Sequence, residues 1–143
     1  MEIHAVLLCD SATVREGLLH VLGGGITRVW RPALPAPLGV ALATLVAMQP
    51  EEMGQLHEIH VAVSSPARRI VEGMGALQAA LPPNIEPGES VVVPFVLPLH
   101  NAGTAEYGRH VVELSIDDGV ASSQLTFWVL HPDEMALPNP HGS

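Results

Sequence analysis

Hydrophobic and polar residues alternate along much of the chain, and this pattern predicts β-strands. In the segment 56–64, Ile59, Val61 and Val63 fall on one side of an extended chain, and Glu58 falls on the other. A period of two is typical of a strand that buries one of its faces. The segment is therefore predicted to be a half-buried strand.

The segments 109–117 and 121–130 form the clearest predicted pair of strands. Both alternate in the same way, and the sequence Asp117-Asp118-Gly119 lies at their junction. Aspartate and glycine tolerate the backbone angles that a tight turn between antiparallel strands requires. We therefore expect a β-hairpin here.

Two other predicted strands are apolar on both sides. The segments Glu2–Cys9 and 39–48 carry valine, leucine, isoleucine or alanine at most positions. A strand that faces water on one side should show polar residues there, so both faces of these strands are expected to be covered. The cover is either another part of the chain or a second copy of the protein.

Proline and glycine divide the remaining sequence into short segments. Strands are predicted at Leu18–Leu22 and 26–30, on either side of a turn at Gly23-Gly24-Gly25. Glycines at a turn supply the positive φ angles that a tight reversal needs. The two segments are therefore expected to pair with each other.

The predicted strand 90–99 contains two prolines, Pro94 and Pro98. Proline has no N–H group to donate, and positions four apart direct their backbone groups to the same lateral side. Because that side cannot pair fully, the strand is expected at the edge of a sheet. The segment 69–79 is ambiguous, since it alternates weakly and its last residues also fit a helix.

Together these segments predict an all-β fold, an immunoglobulin-like antiparallel β-sandwich of about eight strands. A chain of 143 residues has the size of one domain, which we expect over residues 1–131. Residues 132–143 include Pro132, Pro138 and Pro140 and are predicted to form an irregular, flexible tail.

The charge balance narrows the range of partners. The chain carries 15 acidic residues and six basic ones, all arginine, for a net charge of −9. Such a chain cannot neutralise a run of phosphates, so nucleic acids and anionic membranes are not expected partners. The single cysteine cannot form an internal disulfide, and the start of the chain lacks the pattern of a secretory signal. These features predict a cytoplasmic location.

Histidines are the first candidates for a chemical site. His57 and His60 are close enough in sequence to suggest a metal pair, but positions three apart on a strand point to opposite faces. The alternative function that the sequence leaves open is a histidine-lined pocket at one end of the sandwich, which binds a small molecule or a metal. That pocket would draw on His4, His20, His57 or His110.

The residue types that catalyse most reactions form no recognisable motif in this sequence. Cys9 ends an apolar strand without a neighbouring base and is expected to be buried and inert. The chain contains no Gly-x-Ser-x-Gly motif. Gly23-Gly24-Gly25 is not followed by the Lys-Ser/Thr of a phosphate-binding loop. We therefore expect no enzymatic activity and no cofactor.

Tryptophan and arginine supply the candidate partner-binding residues. They are Arg28, Trp30, Arg31 and Trp128. Both residue types are enriched among those that dominate the affinity of protein interfaces. The expected function is a non-catalytic interaction or adaptor module that forms a homodimer or other homo-oligomer and binds a protein partner.

Six short motifs mark strand ends and turns along the chain. They are Ala5-Val6-Leu7-Leu8-Cys9-Asp10, Glu16-Gly17-Leu18-Leu19, Leu22-Gly23-Gly24-Gly25-Ile26, Pro87-Gly88-Glu89, Tyr107-Gly108-Arg109 and Ile116-Asp117-Asp118-Gly119. Across residues 2–130 the chain resembles a family of small bacterial domains of unknown function that have a predicted immunoglobulin-like β-sandwich. The resemblance implies that fold here and implies no activity.

Overall fold

The protein is built almost entirely of β-strands. A computed structural model describes residues 1–134, within which no α-helix occurs. The strands are β1 (Glu2–Cys9), β2 (Ser11–Arg15), β3 (Leu18–Leu22), β4 (Arg28–Trp30), β5 (Ala36–Pro37), β6 (Ala41–Met48), β7 (His57–Ser64), β8 (Arg69–Leu77), β9 (Val91–Pro98), β10 (Gly103–Thr104), β11 (Gly108–Ile116) and β12 (Ala121–Leu130). Short 3-10 turns occur at Pro50–Glu52 and Pro132–Glu134.

Two sheets make up most of the fold. The three-stranded sheet has the order β1-β6-β9, and the five-stranded sheet has the order β4-β12-β11-β7-β8. Neighbouring strands in both sheets are antiparallel, except that β4 runs parallel to β12. Two small ladders, β2–β3 and β5–β10, are added to these sheets. The prediction of an all-β fold dominated by antiparallel pairs is confirmed, with more strands than the sequence pattern shows.

One hydrophobic core contains side chains from both larger sheets. Leu42 and Val46 of β6 belong to it, as do Val63, Leu114 and Phe127 of the five-stranded sheet, and all five are buried. Successive side chains of a strand point to opposite faces, so every second residue of these strands enters the core. The alternation predicts which face of each of these strands is buried, and that face is the one that packs in this core.

The hairpin β2–β3 differs from the pairing that the sequence predicts. The expected pairing of Leu18–Leu22 with the segment 26–30 is wrong, because Leu18–Leu22 pairs with Ser11–Arg15. The turn between them consists of Glu16 and Gly17, with φ angles of 54° and 72°. A two-residue turn with both residues at positive φ matches the twist of an antiparallel pair, which favours the nearer partner.

This hairpin covers the second face of the three-stranded sheet. Cys9, Ala41 and Ala43 on that face are buried, and Leu19 and Val21 of β3 pack against them. The small alanine side chains allow the hairpin to approach the sheet closely. Of the two covers that the apolar strands predict, the structure shows the first, another part of the same chain.

Each of the two larger sheets ends in a long edge strand. β9 is an edge of the three-stranded sheet, as its prolines predict, and the ambiguous segment forms β8, an edge of the five-stranded sheet. The Leu99 amide donates to the Val40 carbonyl at 2.9 Å. Because backbone direction alternates along a strand, Pro94 and Pro98 therefore face away from β6.

The C-terminal end of the chain is described only in part. Residues 132–134 form a 3-10 turn after β12, and the remainder of the predicted tail lies outside the described residues. Over residues 1–134 the structure contains no helix with the length and apolar character needed to cross a membrane.

Candidate binding site

The five-stranded sheet turns one face to the core and the other outward. We call the outward side the open face. Each of its side chains is exposed or half-buried, and the set mixes arginine, tryptophan, carboxylates and small polar residues. The open face is formed by Arg28, Ala62, Glu72, Met74, His60, Arg109, Val111, Glu113, Ser115, Ser122, Gln124, Thr126 and Trp128.

A row of three side chains at one end of the open face combines aromatic and cationic groups. Trp128 on β12 pairs in register with Arg28 on β4 and with Arg109 on β11. Neighbouring strands lie about 4.8 Å apart, so both guanidinium groups can reach the indole. The tryptophan is 40% exposed, and neither arginine forms a salt bridge within residues 1–134. We call these three residues the Arg-Trp-Arg row.

A polar groove of about 400 Å³ occupies the middle of the open face. Its floor consists of small side chains, among them Ala62, Ser115 and Ser122. Ala62 lies in register between Glu113 and Glu72, whose longer side chains form walls on either side. The depression therefore follows from the order of small and long residues on adjacent strands. Arg69 also lines it and lies 3.4 Å from Glu72, so the unbalanced negative charge of its walls is that of Glu113.

The groove also contains a histidine beside a serine. His60 pairs in register with Ser115, and its Nε2 atom is hydrogen-bonded to Glu58 Oε1 at 2.7 Å. No hydrogen bond joins Ser115 to His60 within the described part of the chain. The backbone N–H groups below the groove belong to interior strands and are used in the ladders, so they cannot stabilise an oxyanion.

Two of the four predicted partner-binding residues meet on the open face. Arg28 and Trp128 lie side by side there, and Arg109, which the sequence analysis did not select, completes the row. Trp30 is half-buried at the end of β4, where it pairs with Leu130.

The guanidinium of Arg31 is held by backbone instead. It donates to the carbonyls of Trp30 at 2.7 Å, Pro37 at 2.9 Å and Leu38 at 2.7 Å. Three hydrogen bonds to backbone carbonyls, two of them partly buried, fix this side chain to the segment between β4 and β6. The partner-binding role predicted for Arg31 stays a prediction, and the three hydrogen bonds show that its guanidinium also stabilises the fold.

The histidines of the alternative pocket do not come together. His4 and His20 are exposed on β1 and β3, whereas His57 and His110 are buried in the five-stranded sheet. His110 contacts the Thr104 hydroxyl at 2.8 Å through Nε2 and the Gly108 carbonyl at 3.0 Å through Nδ1. Over residues 1–134 no group of three or more His, Cys, Asp or Glu residues is placed to hold a metal ion.

His57 has a structural position at the start of β7. Its Nδ1 atom lies 2.6 Å from Asp117 Oδ2, and its Nε2 atom lies 2.7 Å from the Glu52 carbonyl oxygen. Burial alone would lower the pKa of His57, but the hydrogen bonds to Asp117 and Glu52 outweigh it and raise the pKa. With two acceptors facing the ring, the doubly protonated imidazolium satisfies both of them.

Asp117 serves the hairpin turn and the His57 contact together. Its φ angle is 51°, as a tight turn requires, and its Oδ1 atom accepts a hydrogen bond from the Glu58 amide at 2.9 Å. The hydrogen bond from His57, followed by that from the Glu58 amide, lowers the pKa of the Asp117 carboxyl. The turn sequence that predicts the hairpin therefore also anchors β7.

Cys9 is buried, as the sequence predicts. Its thiol lies 3.5 Å from the Ala41 carbonyl oxygen, below the β2–β3 hairpin. Burial raises the pKa of this thiol, and the neighbouring Asp10 carboxylate adds to the effect. Since the thiolate is the reactive form, a raised pKa makes Cys9 unreactive.

Comparison with known proteins places the chain in a family without adding an activity. Residues 4–129 match the model of a family of unknown function (DUF6941). A search of curated proteins gives no match.

Proposed function

Because the chain belongs to the DUF6941 family of unknown function, we propose its function from the geometry of the open face: a non-catalytic module that binds a protein partner. The observation that carries this proposal is the Arg-Trp-Arg row. Tryptophan and arginine are the residues most often found at interface hot spots. An exposed indole between two arginines without salt bridges is a surface suited to recognition.

The charges of the open face indicate the chemistry of the partner. Arg28 and Arg109 favour carboxylates on the partner, and the exposed indole favours an aromatic or aliphatic side chain. Glu113 lines the adjacent groove and favours hydrogen-bond donors or cations there, whereas Arg69 balances the charge of Glu72. We therefore propose that the partner presents a segment whose acidic part binds the Arg-Trp-Arg row and whose donor-rich part binds the groove. The different charges at these two places on the open face would fix the direction in which the segment binds.

The fold in this proposal is an immunoglobulin-like β-sandwich. Its support is the single core shared by the three-stranded and five-stranded sheets, which is the arrangement expected for two packed antiparallel sheets. We also propose a reducing, cytoplasmic location, because the only cysteine has no disulfide partner within the chain.

We also propose self-association, but on an observation other than the apolar strands from which the sequence predicts it. The β2–β3 hairpin covers the apolar face of the three-stranded sheet that first suggested a second copy. The remaining support is the edge of β8, which among the described strands has a neighbour on one side only. The histidine-lined pocket is not proposed, because His4, His20, His57 and His110 lie in separate places.

Affinity capture from the native cell tests the partner half of the proposal. We expect proteins retained by the wild type to be lost from Trp128→Ala and Arg109→Ala. Arg15→Ala is the matched control, since Arg15 is an exposed arginine on β2, away from the open face. For a captured partner, Trp128→Ala should weaken binding by roughly 30-fold, the effect of a hot-spot residue worth about 2 kcal/mol.

Two results would contradict this function. One is a set of captured proteins that is unchanged in folded Trp128→Ala and Arg109→Ala. The other is an equal loss of affinity in Arg15→Ala, which would show that general positive charge and not the Arg-Trp-Arg row is responsible. Circular dichroism of each variant checks that the fold is retained.

A further inference from the structure

The outer side of β8 presents backbone groups that no residue of 1–134 pairs with. The Asp117 amide donates to the Glu58 carbonyl at 2.9 Å, so even-numbered residues of β7 face β11 and odd-numbered ones face β8. Odd-numbered residues of β8 lie opposite the odd-numbered residues of β7. By alternation, the N–H and C=O groups of Glu72, Met74 and Ala76 point away from the sheet.

The other strand edges of the two sheets are protected. β9 carries Pro94 and Pro98 on its outward side, and β4 is only three residues long. On β1, the amides of Gly25 and Ile26 donate to the outward carbonyl of Leu8 at 2.9 and 3.0 Å. Prolines, short edges and covering loops are the usual means by which proteins prevent pairing between sheet edges.

β8 has none of these protections. It is nine residues long, contains no proline, and carries Met74 with its side chain 70% exposed. A long free edge of this kind is a template for pairing with another strand. We therefore expect another strand to pair with this edge, and the charge of the edge indicates which strand.

The charge of this edge favours a second copy of the chain. Over residues 69–79 the only charged groups are Arg69 and Glu72, whose side chains lie 3.4 Å apart and cancel. The chain as a whole carries −9, so two copies repel each other over most of their surface. An antiparallel pair centred on Met74 would place Glu72 opposite Ala76 of the second copy, with no like charges facing each other.

We propose that β8 pairs antiparallel with β8 of a second copy, which joins two five-stranded sheets into one sheet of ten strands. Such an interface is self-complementary, as a two-fold dimer requires. This inference deepens the self-association part of the proposed function. Its test is separable from that of partner binding: Glu72 of β8 lines the groove, but the Arg-Trp-Arg row, which carries the partner-binding proposal, lies on β4, β12 and β11, at the opposite edge of the sheet.

The decisive experiment compares proline at the two edges. Met74→Pro removes an outward amide from β8 and leaves the β7–β8 ladder intact. Val92→Pro is the matched control, because Val92 has the same outward direction on β9, an edge already blocked, and is exposed. Sedimentation velocity up to about 200 µM protein measures the molar mass, a range that detects dimers with dissociation constants in the micromolar range.

We expect a dimer for the wild type and for Val92→Pro, and a monomer for Met74→Pro. If Met74→Pro does not fold, Met74→Lys decides the question, since in the proposed register the two lysines would lie directly opposite each other, and like charges there oppose pairing without changing the backbone. A wild-type monomer at the highest concentration would overturn the proposal and leave the edge for an extended peptide of another protein. A dimer that persists in a folded edge variant would overturn it as well. In either case the capture experiment with Trp128→Ala remains an independent test of partner binding.

Discussion

The edge strands β9 and β8 border the same apolar cavity of about 210 Å³ and are built in opposite ways. β9 contributes Leu97 and Pro98 to the lining, whereas β8 contributes Val71, Met74 and two glycines, Gly73 and Gly75. β9 thus has large residues beside the core and prolines on its free side. β8 places only Leu77 among the buried core residues, has two glycines beside the cavity, and has amides on its free side that no residue of 1–134 pairs with.

This difference shows that packing and edge protection are separate properties of a strand. An outward-facing proline removes a donor that had no partner in the monomer, while the inward residues remain free to pack. β9 combines a packed inner face, including Val93 and Phe95, with a blocked edge. β8 contributes less to the core and keeps its edge available for pairing.

The largest expected effect comes from removing a packed side chain of β9. Phe95→Ala deletes a buried aromatic ring and should lower the free energy of unfolding by about 3–5 kcal/mol. On β8, Val71→Ala removes a half-buried side chain and should cost only about 1 kcal/mol. Urea unfolding of both variants measures the two losses in free energy of unfolding and therefore their ratio.

The control for that comparison is Val92→Ala on β9, an exposed position that should change stability by less than about 0.5 kcal/mol. If Phe95→Ala and Val71→Ala cost the same, the two edges contribute equally to the core. The proposed division between a packed edge and an available edge would then be wrong.

Local signals in the sequence predicted much of this fold. β12 has the bounds that its alternation predicts, and the turn at Asp117 and Asp118 has the positive φ angles that aspartate tolerates. The edge position of β9 follows from the spacing of two prolines. Each of these signals is contained within a few adjacent residues, and for that reason each can be recognised without the rest of the chain.

Only part of the candidate site could be predicted from the sequence. Alternation alone places Arg109 and Trp128 on the same outward face of the predicted hairpin. Their pairing depends on the four-residue connection 117–120 that the structure shows, whereas the turn predicted at Asp117-Asp118-Gly119 is one residue shorter and would shift the register. Arg28 reaches the row through the parallel pairing of β4 with β12. That contact joins distant parts of the chain and depends on the packing of the entire fold, which no local pattern contains.

We expect a loss of stability of intermediate size when the contact between His57 and Asp117 is removed. The His57–Asp117 bond fixes the start of β7, whose other neighbour is β8. Asp117→Asn keeps the side-chain shape and the positive φ, which asparagine tolerates, and removes the charge. We expect it to lower the free energy of unfolding by about 1–3 kcal/mol near pH 6.

The pH dependence of this bond has a defined sign. The raised pKa of His57 means that its contribution is complete below its ordinary value of 6.5 and is lost as the pH rises through the folded-state pKa. The lowered pKa of Asp117 means that its contribution is present above 3.8 and is lost as the pH falls through the folded-state pKa.

Urea unfolding of the wild type and Asp117→Asn, at about pH 5.5 and about pH 9, isolates this bond from other titrating groups. The wild type should lose more stability than the variant between the two values. Hydrogen exchange should show the change in β7 and β8 and not in β6 and β9. Equal losses in both proteins would mean that His57 is not the group responsible.

The smallest expected effect is a gain in stability from filling the β8 side of the shared cavity. A Cβ atom at Gly75 would have no heavy atom within 4 Å, whereas one at Gly73 would lie 3.4 Å from Val61 Cγ1. Gly75→Val should therefore raise the free energy of unfolding by about 1 kcal/mol, because valine favours strands and restricts the unfolded chain. Gly73→Val, the matched control, should gain less, since Val61 must adjust. If Gly75→Val is destabilising while Gly73→Val is neutral, the space beneath β8 does not accommodate an added side chain. Looser packing beneath β8 would then not explain its difference from β9.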